Sequence, residues 1–337
     1  MPPAPPSPAA FFDLANAYQR TEALKAAVEL DLFTHVAAGR TATADLAAAT
    51  GASPRGVRIL ADYLTVVGLL HKSADRYALT PDADAFLNRA SPAYLGGALE
   101  FLLTPQLREC FQSLTAAVRK GGTATSAEGT VSHDNPVWVA FARAMAPMMS
   151  LPARILADLV GDGEETRLRV LDVAAGHGLF GIAVARRCPA ARVTALDWPN
   201  VLVVAAENAA REGVADRVAL LPGSAFELDW GGPYDVVLLT NFLHHFDLPT
   251  CERLAAKAHA ALAPGGRAVT LEFVPEPDRV TPPATAAFAL TMLATTAAGD
   301  AYTFAEYERV FAAAGFVRSV FQPLPPTTQQ AVVSYRD

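Results

Sequence analysis

The sequence predicts two domains of different class, a mostly helical domain followed by an α/β domain built on a parallel sheet. The chain has 337 residues, which is more than one compact core usually holds. Apolar residues recur at helical spacing before residue 160, and from Leu168 onward short apolar runs alternate with helical segments. Such alternation is typical of parallel strands that are covered by helices on both faces.

The first domain has the element order of a winged helix. A proline-rich start predicts a disordered tail over residues 1–10, and helical spacing then continues to about Ala90. Within this region a helix over 43–50, a turn at Gly51 and a second helix capped by Ser53 precede a hairpin formed by 69–72 and 76–79. We therefore assign residues 11–100 to a winged-helix domain.

The charges of this domain argue against a DNA-binding role. A recognition helix needs basic and amide side chains that face bases and phosphates. Here the second helix carries only Arg55 and Arg58 near its start, and the formal net charge of the whole chain is -7. We expect a packing or dimerisation surface, with no nucleic acid as a partner.

Residues 101–163 are predicted to be mostly helical and to contribute to a pocket. The segment 138–149 places aromatic and methionine side chains on one stripe, which is usually core packing. A loop is predicted over 132–136, and the Gly161–Gly163 region predicts a domain boundary. The second domain then covers residues 164–337.

The second domain contains the strands of the predicted sheet. Five strands are predicted over 168–173, 192–197, 218–221, 234–240 and 267–273, helices over 179–187, 201–211 and 249–263, and a terminal hairpin over 317–324 and 330–335. Ligands of such sheets bind beyond the carboxyl ends of the strands, near the point where the strand order reverses.

Two of these strand ends carry residues suited to a nucleoside ligand. The first strand runs into a turn of small residues from Asp172 to Gly178, which lets a ligand approach the backbone and a helix N-terminus. The second strand ends in Asp197, whose carboxylate could accept hydrogen bonds from a ribose or could cap the helix that follows. A dinucleotide site is the weaker alternative, because the GxGxxG spacing is missing.

At this point the sequence resembles the class I S-adenosylmethionine-dependent O-methyltransferases of the plant-type and bacterial small-molecule family. The resemblance rests on Val170–Gly178, Leu196–Pro199, Pro222–Phe226, Leu243–Asp247, Leu262–Gly266, Glu272 and Ala314–Phe316, and on the winged-helix domain. It implies a Rossmann-like, seven-stranded methyltransferase domain behind a dimerisation domain. It also implies a homodimer, S-adenosyl-L-methionine as the cofactor and S-adenosyl-L-homocysteine as the product.

The resemblance assigns a cofactor site to the ends of the first four strands. The implied cofactor-binding residues are Asp172, Ala174, Gly176, Gly178, Asp197, Trp198, Ser224, Ala225, Phe226 and Thr240. Three of them depart from the family pattern, because Ala174 replaces a glycine, Ser224 an aspartate and Thr240 a lysine.

The resemblance also implies that His244 is the general base and that Glu272 orients its ring. Histidine suits this task because its pKa lies near neutrality. The adjacent His245 does not align with the family's base, and a metal pair is not expected, because adjacent side chains diverge. A second glutamate of the family is missing from the loop around residue 300, so that either Asp300 takes its place or His244 works with one partner.

The acceptor is expected to be a small aromatic molecule with a hydroxyl group. By resemblance, the residues that contact it are Phe141, Met145, Met149, Asn241 and Met292. Two alternatives stay open: methylation at carbon or nitrogen within the same fold, and a catalytically silent protein that binds a ligand or regulates. The three cysteines form no CxxC pair and no stretch resembles a signal peptide or membrane span, so we expect a cytoplasmic protein without a membrane partner.

Overall fold

The computed structural model describes residues 6–126, 137–161 and 167–337. The predicted loop over 132–136, the boundary between residues 163 and 164, and the first five positions of the predicted tail lie outside these described residues. The chain divides into two compact units between Leu99 and Glu100.

The first unit is helical and carries one small hairpin. Its elements are α1 (Ala9–Ala15), α2 (Ala17–Glu29), α3 (Leu32–Ala37), α4 (Thr43–Thr50), α5 (Pro54–Val66), β1 (Leu70–Ser73), β2 (Arg76–Leu79) and α6 (Pro81–Leu87). Ser53 Oγ accepts a hydrogen bond from the Gly56 N–H at 3.1 Å, so that the predicted cap of α5 is present. The two strands pair antiparallel as the expected hairpin.

Helices precede the sheet in the second unit. They are α7 (Leu99–Leu102), which begins at the division, α8 (Pro105–Gln112), α9 (Leu114–Lys120) and α10 (Val137–Val160). The sheet elements follow as β3 (Arg169–Val173), α11 (Leu179–Arg187), β4 (Arg192–Asp197), α12 (Pro199–Arg211), β5 (Val218–Pro222), β6 (Tyr234–Thr240), α13 (Leu248–Ala261), β7 (Leu262–Glu272), α14 (Pro283–Ala286), α15 (Phe288–Thr295), α16 (Phe304–Ala313), β8 (Arg318–Pro323) and β9 (Gln330–Tyr335).

The seven strands form one sheet in the order β5-β4-β3-β6-β7-β9-β8. Strands β3 to β7 pair in parallel, and β9 pairs antiparallel with both β7 and β8. The predicted fold class is confirmed. The strand order reverses between β3 and β6, so that the carboxyl ends of these two strands flank the crevice in which a ligand would bind.

Both faces of the sheet are buried, which explains the continuous apolar runs of its strands. Val170 and Val236 face a core that includes Leu156 of α10 and Ile182 of α11. Their neighbours Leu171 and Val237 face a second core that contains residues of α13 and α16. Successive side chains of a strand point to opposite faces, so apolar residues fill both faces of β3 and β6 where they lie between two helical layers. The buried exceptions are Asp172 and Thr240.

Candidate active site

The turn after β3 brings the backbone close to a cavity. Ala174 and Gly176 adopt left-handed conformations with φ of 53° and 57°. A side chain at position 174 stores strain there, because a Cβ atom crowds the following carbonyl in this conformation. At Gly176 an added Cβ would meet only the Ala174 carbonyl oxygen, at 3.9 Å. The turn therefore leaves open space above the backbone of Gly176, as a bound molecule requires.

Asp197 is held at this turn by two backbone N–H groups. Its Oδ2 accepts a hydrogen bond from Gly176 at 2.8 Å, and its Oδ1 accepts one from Trp198 at 2.7 Å. Burial raises the pKa of this carboxyl to about 6, although the two N–H donors oppose the shift. Trp198 is the N-terminal cap residue of α12 and no side chain caps this helix, so the alternative of Asp197 as a helix cap is not supported.

Asp172 and Gly178 have packing contacts next to this turn. Asp172 is fully buried, its Oδ2 accepts from the Gly181 N–H at 3.0 Å, and burial raises its pKa to about 7. Gly178 begins α11 with φ of 73°, and a Cβ added there would lie 2.9 Å from the Cβ of Ala205. These two residues hold α11 against β3 and α12.

A cavity of about 940 Å³, including its open mouth, lies beyond the ends of β3, β4, β5 and β6. Of the residues predicted for the site, those that line it are Phe141, Met149, Ala174, Gly176, Asp197, Trp198, Ser224, Ala225, Phe226, Thr240 and Asn241. One cavity thus brings together residues assigned to the cofactor and residues assigned to the acceptor.

Other predicted site residues lie outside the lining of this cavity. They are Asp172, Gly178, Met145, Met292, His244, Glu272 and Asp300. Met292 is buried in α15, where its carbonyl oxygen accepts from the Thr296 N–H. A methionine at helical spacing packs equally well in a core and in a pocket. Its position in the sequence therefore could not distinguish core packing from contact with the acceptor.

His244 and Glu272 form a buried hydrogen-bonded pair. The His244 Nδ1 atom contacts Glu272 Oε2, and the other carboxylate oxygen accepts from the N–H groups of Phe242 at 3.0 Å and Leu243 at 2.9 Å. Glu272 therefore fixes both the ring of His244 and the backbone that carries it. The ring of Phe288 lies edge-on to the imidazole, with the centroids 4.9 Å apart. No described residue forms a hydrogen bond with His244 Nε2.

One expectation was that the Asp300 carboxylate orients the ring of His244. In the structure this carboxylate contacts Arg279 instead. Its Oδ2 accepts from Arg279 Nη1 at 3.2 Å, in a position with a half-buried side chain. Its backbone N–H donates to the His244 carbonyl oxygen at 3.0 Å. The loop therefore supports the backbone of His244, and a nearby cation takes the carboxylate. Sequence spacing cannot anticipate this, because Arg279 comes from another loop.

The cavity lining also includes residues that were not assigned to the site from the sequence, among them three with polar ring nitrogens. These three are Trp138, His177 and His245. Burial lowers the pKa of His177 to about 4, and its Nδ1 accepts from the Leu179 N–H at 3.1 Å. His177 is thus a neutral ring that accepts from the first N–H group of α11. Its position within the small-residue turn was the available signal. Trp138 belongs to the segment 138–149, which was expected to contribute to a pocket, whereas His245 had only its neighbour His244 as a signal.

The part of the chain that the structure describes offers no alternative site built on a metal. Among the described residues, no group of three or more His, Cys, Asp or Glu side chains is placed to hold a metal ion. No helix in the described ranges is both long and apolar enough to cross a lipid bilayer.

Two family models match the chain. The O-methyltransferase domain family matches residues 111–317, and the O-methyltransferase dimerisation domain family matches residues 12–89. One match falls in each of the two compact units.

Characterised relatives match over most of the chain. The tetracenomycin polyketide synthesis 8-O-methyltransferase of Streptomyces glaucescens is 30% identical over 92% of this chain and 91% of its own length. The acetylserotonin O-methyltransferase of Mus musculus molossinus is 31% identical over 92% of this chain and 84% of its own.

Solved structures agree with these relatives. A structure from Nostoc punctiforme, described as an O-methyltransferase, has a TM-score of 0.95 and 52% identity, and covers 99% of this chain and 100% of its own. Human N-acetylserotonin methyltransferase in complex with S-adenosylmethionine has a TM-score of 0.85 at 22% identity, over 100% and 99% of the two chains. At that identity the likeness shows the fold.

Proposed function

The chain belongs to the O-methyltransferase family whose members pair a dimerisation domain with an S-adenosylmethionine-dependent domain, and from this premise we propose the acceptor and the catalytic residues. The enzyme methylates small molecules with S-adenosyl-L-methionine as its cofactor. We propose that the acceptor is an aromatic hydroxyl, that His244 is the general base and that Glu272 orients it.

The residues around the β3 turn fit the cofactor. Asp197 presents a carboxylate at the cavity, suited to the two hydroxyls of a ribose, and Gly176 leaves room for a ligand against its backbone. When bound, S-adenosylmethionine supplies a methyl group on a positively charged sulfur. The acceptor oxygen would bond to the methyl carbon, and the sulfur would leave as the thioether of S-adenosylhomocysteine.

The single observation that carries the proposed chemistry is the pair formed by His244 and Glu272. A carboxylate that accepts from Nδ1 requires the proton on that nitrogen and leaves Nε2 as the acceptor. Nε2 can then take the proton of the attacking hydroxyl, and Glu272 stabilises the resulting imidazolium. The two backbone N–H groups that donate to Glu272 keep the carboxylate in position, so that the ring is oriented before a ligand binds.

The lining of the cavity supports an aromatic acceptor. Trp138, Phe141, Phe242 and Phe246 all face it, together with Met149. Flat apolar side chains with few polar groups suit a planar ring. The relatives named for a polyketide pathway and for acetylserotonin support a small organic acceptor.

The test of the base is the substitution His244→Ala. We expect the methylation rate of a phenolic probe, 2,3-dihydroxynaphthalene, to fall about 100-fold or more, because general base catalysis contributes roughly that much. Glu272→Gln should also lower the rate. Radioactive methyl transfer measures turnover, and calorimetry should show that the Kd for S-adenosylhomocysteine changes less than about twofold.

His71→Ala is the matched control, because His71 is an exposed histidine of the first unit. Its rate should equal that of the wild type. A His244→Ala enzyme that keeps the wild-type rate would remove the general base from the mechanism and favour transfer driven by proximity alone.

We also propose that the chain is a homodimer through its first unit. Helix α1 has no buried residue, and Phe11, Phe12 and Leu14 on it are 68%, 57% and 77% exposed. A contiguous apolar surface of this kind marks an interaction site. The match to the dimerisation domain family over residues 12–89 supports a second copy of the chain as the partner.

A further inference from the structure

The Nδ1 atom of His245 has no hydrogen-bond partner among the described residues. The ring lines the cavity, and its Nδ1 is shielded from solvent while no other described atom bonds to it. Leaving such an atom unsatisfied costs ~1–3 kcal/mol, so native structures rarely do so without a reason. An unsatisfied imidazole on the wall of a ligand cavity indicates a bound molecule that completes its hydrogen bonding.

The ring of His245 is held in place before any ligand binds. Trp138 packs against it edge-to-face, with ring centroids 5.3 Å apart and an interplanar angle of 84°. The backbone is equally constrained, because a Cβ added at Gly299 would lie 2.2 Å from the His244 carbonyl oxygen. The loop at Gly299 therefore closes tightly on residues 244 and 245, and the position of the ring is set by packing.

The ring is neutral near physiological pH. Burial, with a smaller contribution from His244, lowers the pKa of His245 well below its ordinary value. A neutral imidazole donates through one nitrogen and accepts through the other. It suits a hydroxyl or a carbonyl oxygen, and it offers no charge to an anion.

We propose that His245 hydrogen-bonds a second oxygen of the acceptor, beside the hydroxyl that is methylated, and so selects acceptors that carry two neighbouring oxygens. The inference rests on the proposed role of His244. The centroids of the two imidazole rings are 4.3 Å apart, a spacing that suits two oxygens on adjacent positions of the acceptor. Asp197 and the β3 turn offer the proposed cofactor separate polar groups in the same cavity.

The experiment compares 2,3-dihydroxynaphthalene with 2-naphthol, which differ by one oxygen, in full-length wild type and His245→Phe. Phenylalanine keeps the aromatic contact with Trp138 and removes both nitrogens. The wild type should favour the diol about tenfold or more in kcat/KM, and His245→Phe should lose that preference through a higher KM for the diol. His245→Gln, which can donate and accept, should recover part of it.

Binding of S-adenosylhomocysteine, measured by calorimetry, separates the outcomes. An unchanged Kd in His245→Phe, together with the lost preference, supports the assignment. A weaker Kd with the preference retained would assign His245 to the cofactor and overturn the proposal. Wild type that binds S-adenosylhomocysteine but methylates neither probe, or both equally, also overturns it. Wild type that binds no S-adenosylhomocysteine would overturn the proposed function itself.

Discussion

Asp197 depends on its ionised form for both of its hydrogen bonds in the structure. Each carboxylate oxygen accepts from one backbone N–H, of Gly176 and of Trp198. The substitution Asp197→Asn places an amide donor against one of these donors and removes an acceptor from the cavity wall. We expect calorimetry to show at least a tenfold weaker Kd for S-adenosylhomocysteine, equivalent to about 1.4 kcal/mol.

The raised pKa of Asp197 leads us to expect that cofactor binding depends on pH. Burial raises the pKa of Asp197 to about 6, so the carboxylate is ionised above that pH and becomes protonated as the pH falls through it. Affinity for S-adenosylhomocysteine should therefore be constant from pH 8 to 7 and weaken below about pH 6. Titrations from pH 8 to 5 measure this, and Asp197→Asn should show no such dependence. An equal dependence in both proteins would assign it to another group.

At the scale of elements, Lys257 of α13 organises the segment after β5 that lines the cavity. Its Nζ donates to the carbonyl oxygens of Ala225, Phe226 and Leu228, each at 2.8 Å. It also lies 5.3 Å from the ring centroid of Trp230. The ammonium is thus the common donor for three carbonyl groups of a segment from which Ser224, Ala225 and Phe226 line the cavity.

We expect Lys257→Met to weaken S-adenosylhomocysteine binding about tenfold, because three carbonyl groups lose a charged donor and the segment becomes free to rearrange. Arg253→Met is the matched control, since Arg253 is an exposed cation of the same helix, and its Kd should match that of the wild type. Calorimetry gives both values. Lys257→Met with wild-type affinity would show that the strand ends alone hold the segment.

The two compact units of the whole molecule lead to a separate prediction about assembly. Light scattering should give the wild type twice the mass of one chain. The double substitution Phe11→Ser and Phe12→Ser should shift it toward one chain, because it removes two exposed aromatic rings from α1. Val118→Ser is the control, since Val118 is 59% exposed in the second unit. A wild type that stays monomeric at micromolar concentrations contradicts the homodimer.

At every scale, what was predicted from the sequence depends on short-range pattern. The strands β3 to β6 were predicted nearly to the residue, because parallel strands buried on both faces contain continuous apolar runs. β7 was the exception, since it begins at Leu262 and the sequence placed its start at Arg267. Leu262 pairs with Tyr234 of β6, and after a register shift the pairing resumes at Arg267, beyond the turn residues Pro264–Gly266 that indicated a loop.

The sequence by itself determined the fold class, the small-residue turn after β3, the carboxylate at the end of β4 and the family. All of these follow from local composition and from motif order along the chain. Tertiary structure alone decided which side chains meet. The Asp300 carboxylate accepts from Arg279, and Met292 is buried. His245 lines the cavity, and Lys257 donates to the segment that follows β5. These contacts join residues from separate loops and helices, and their formation depends on how the layers pack, which no local pattern records.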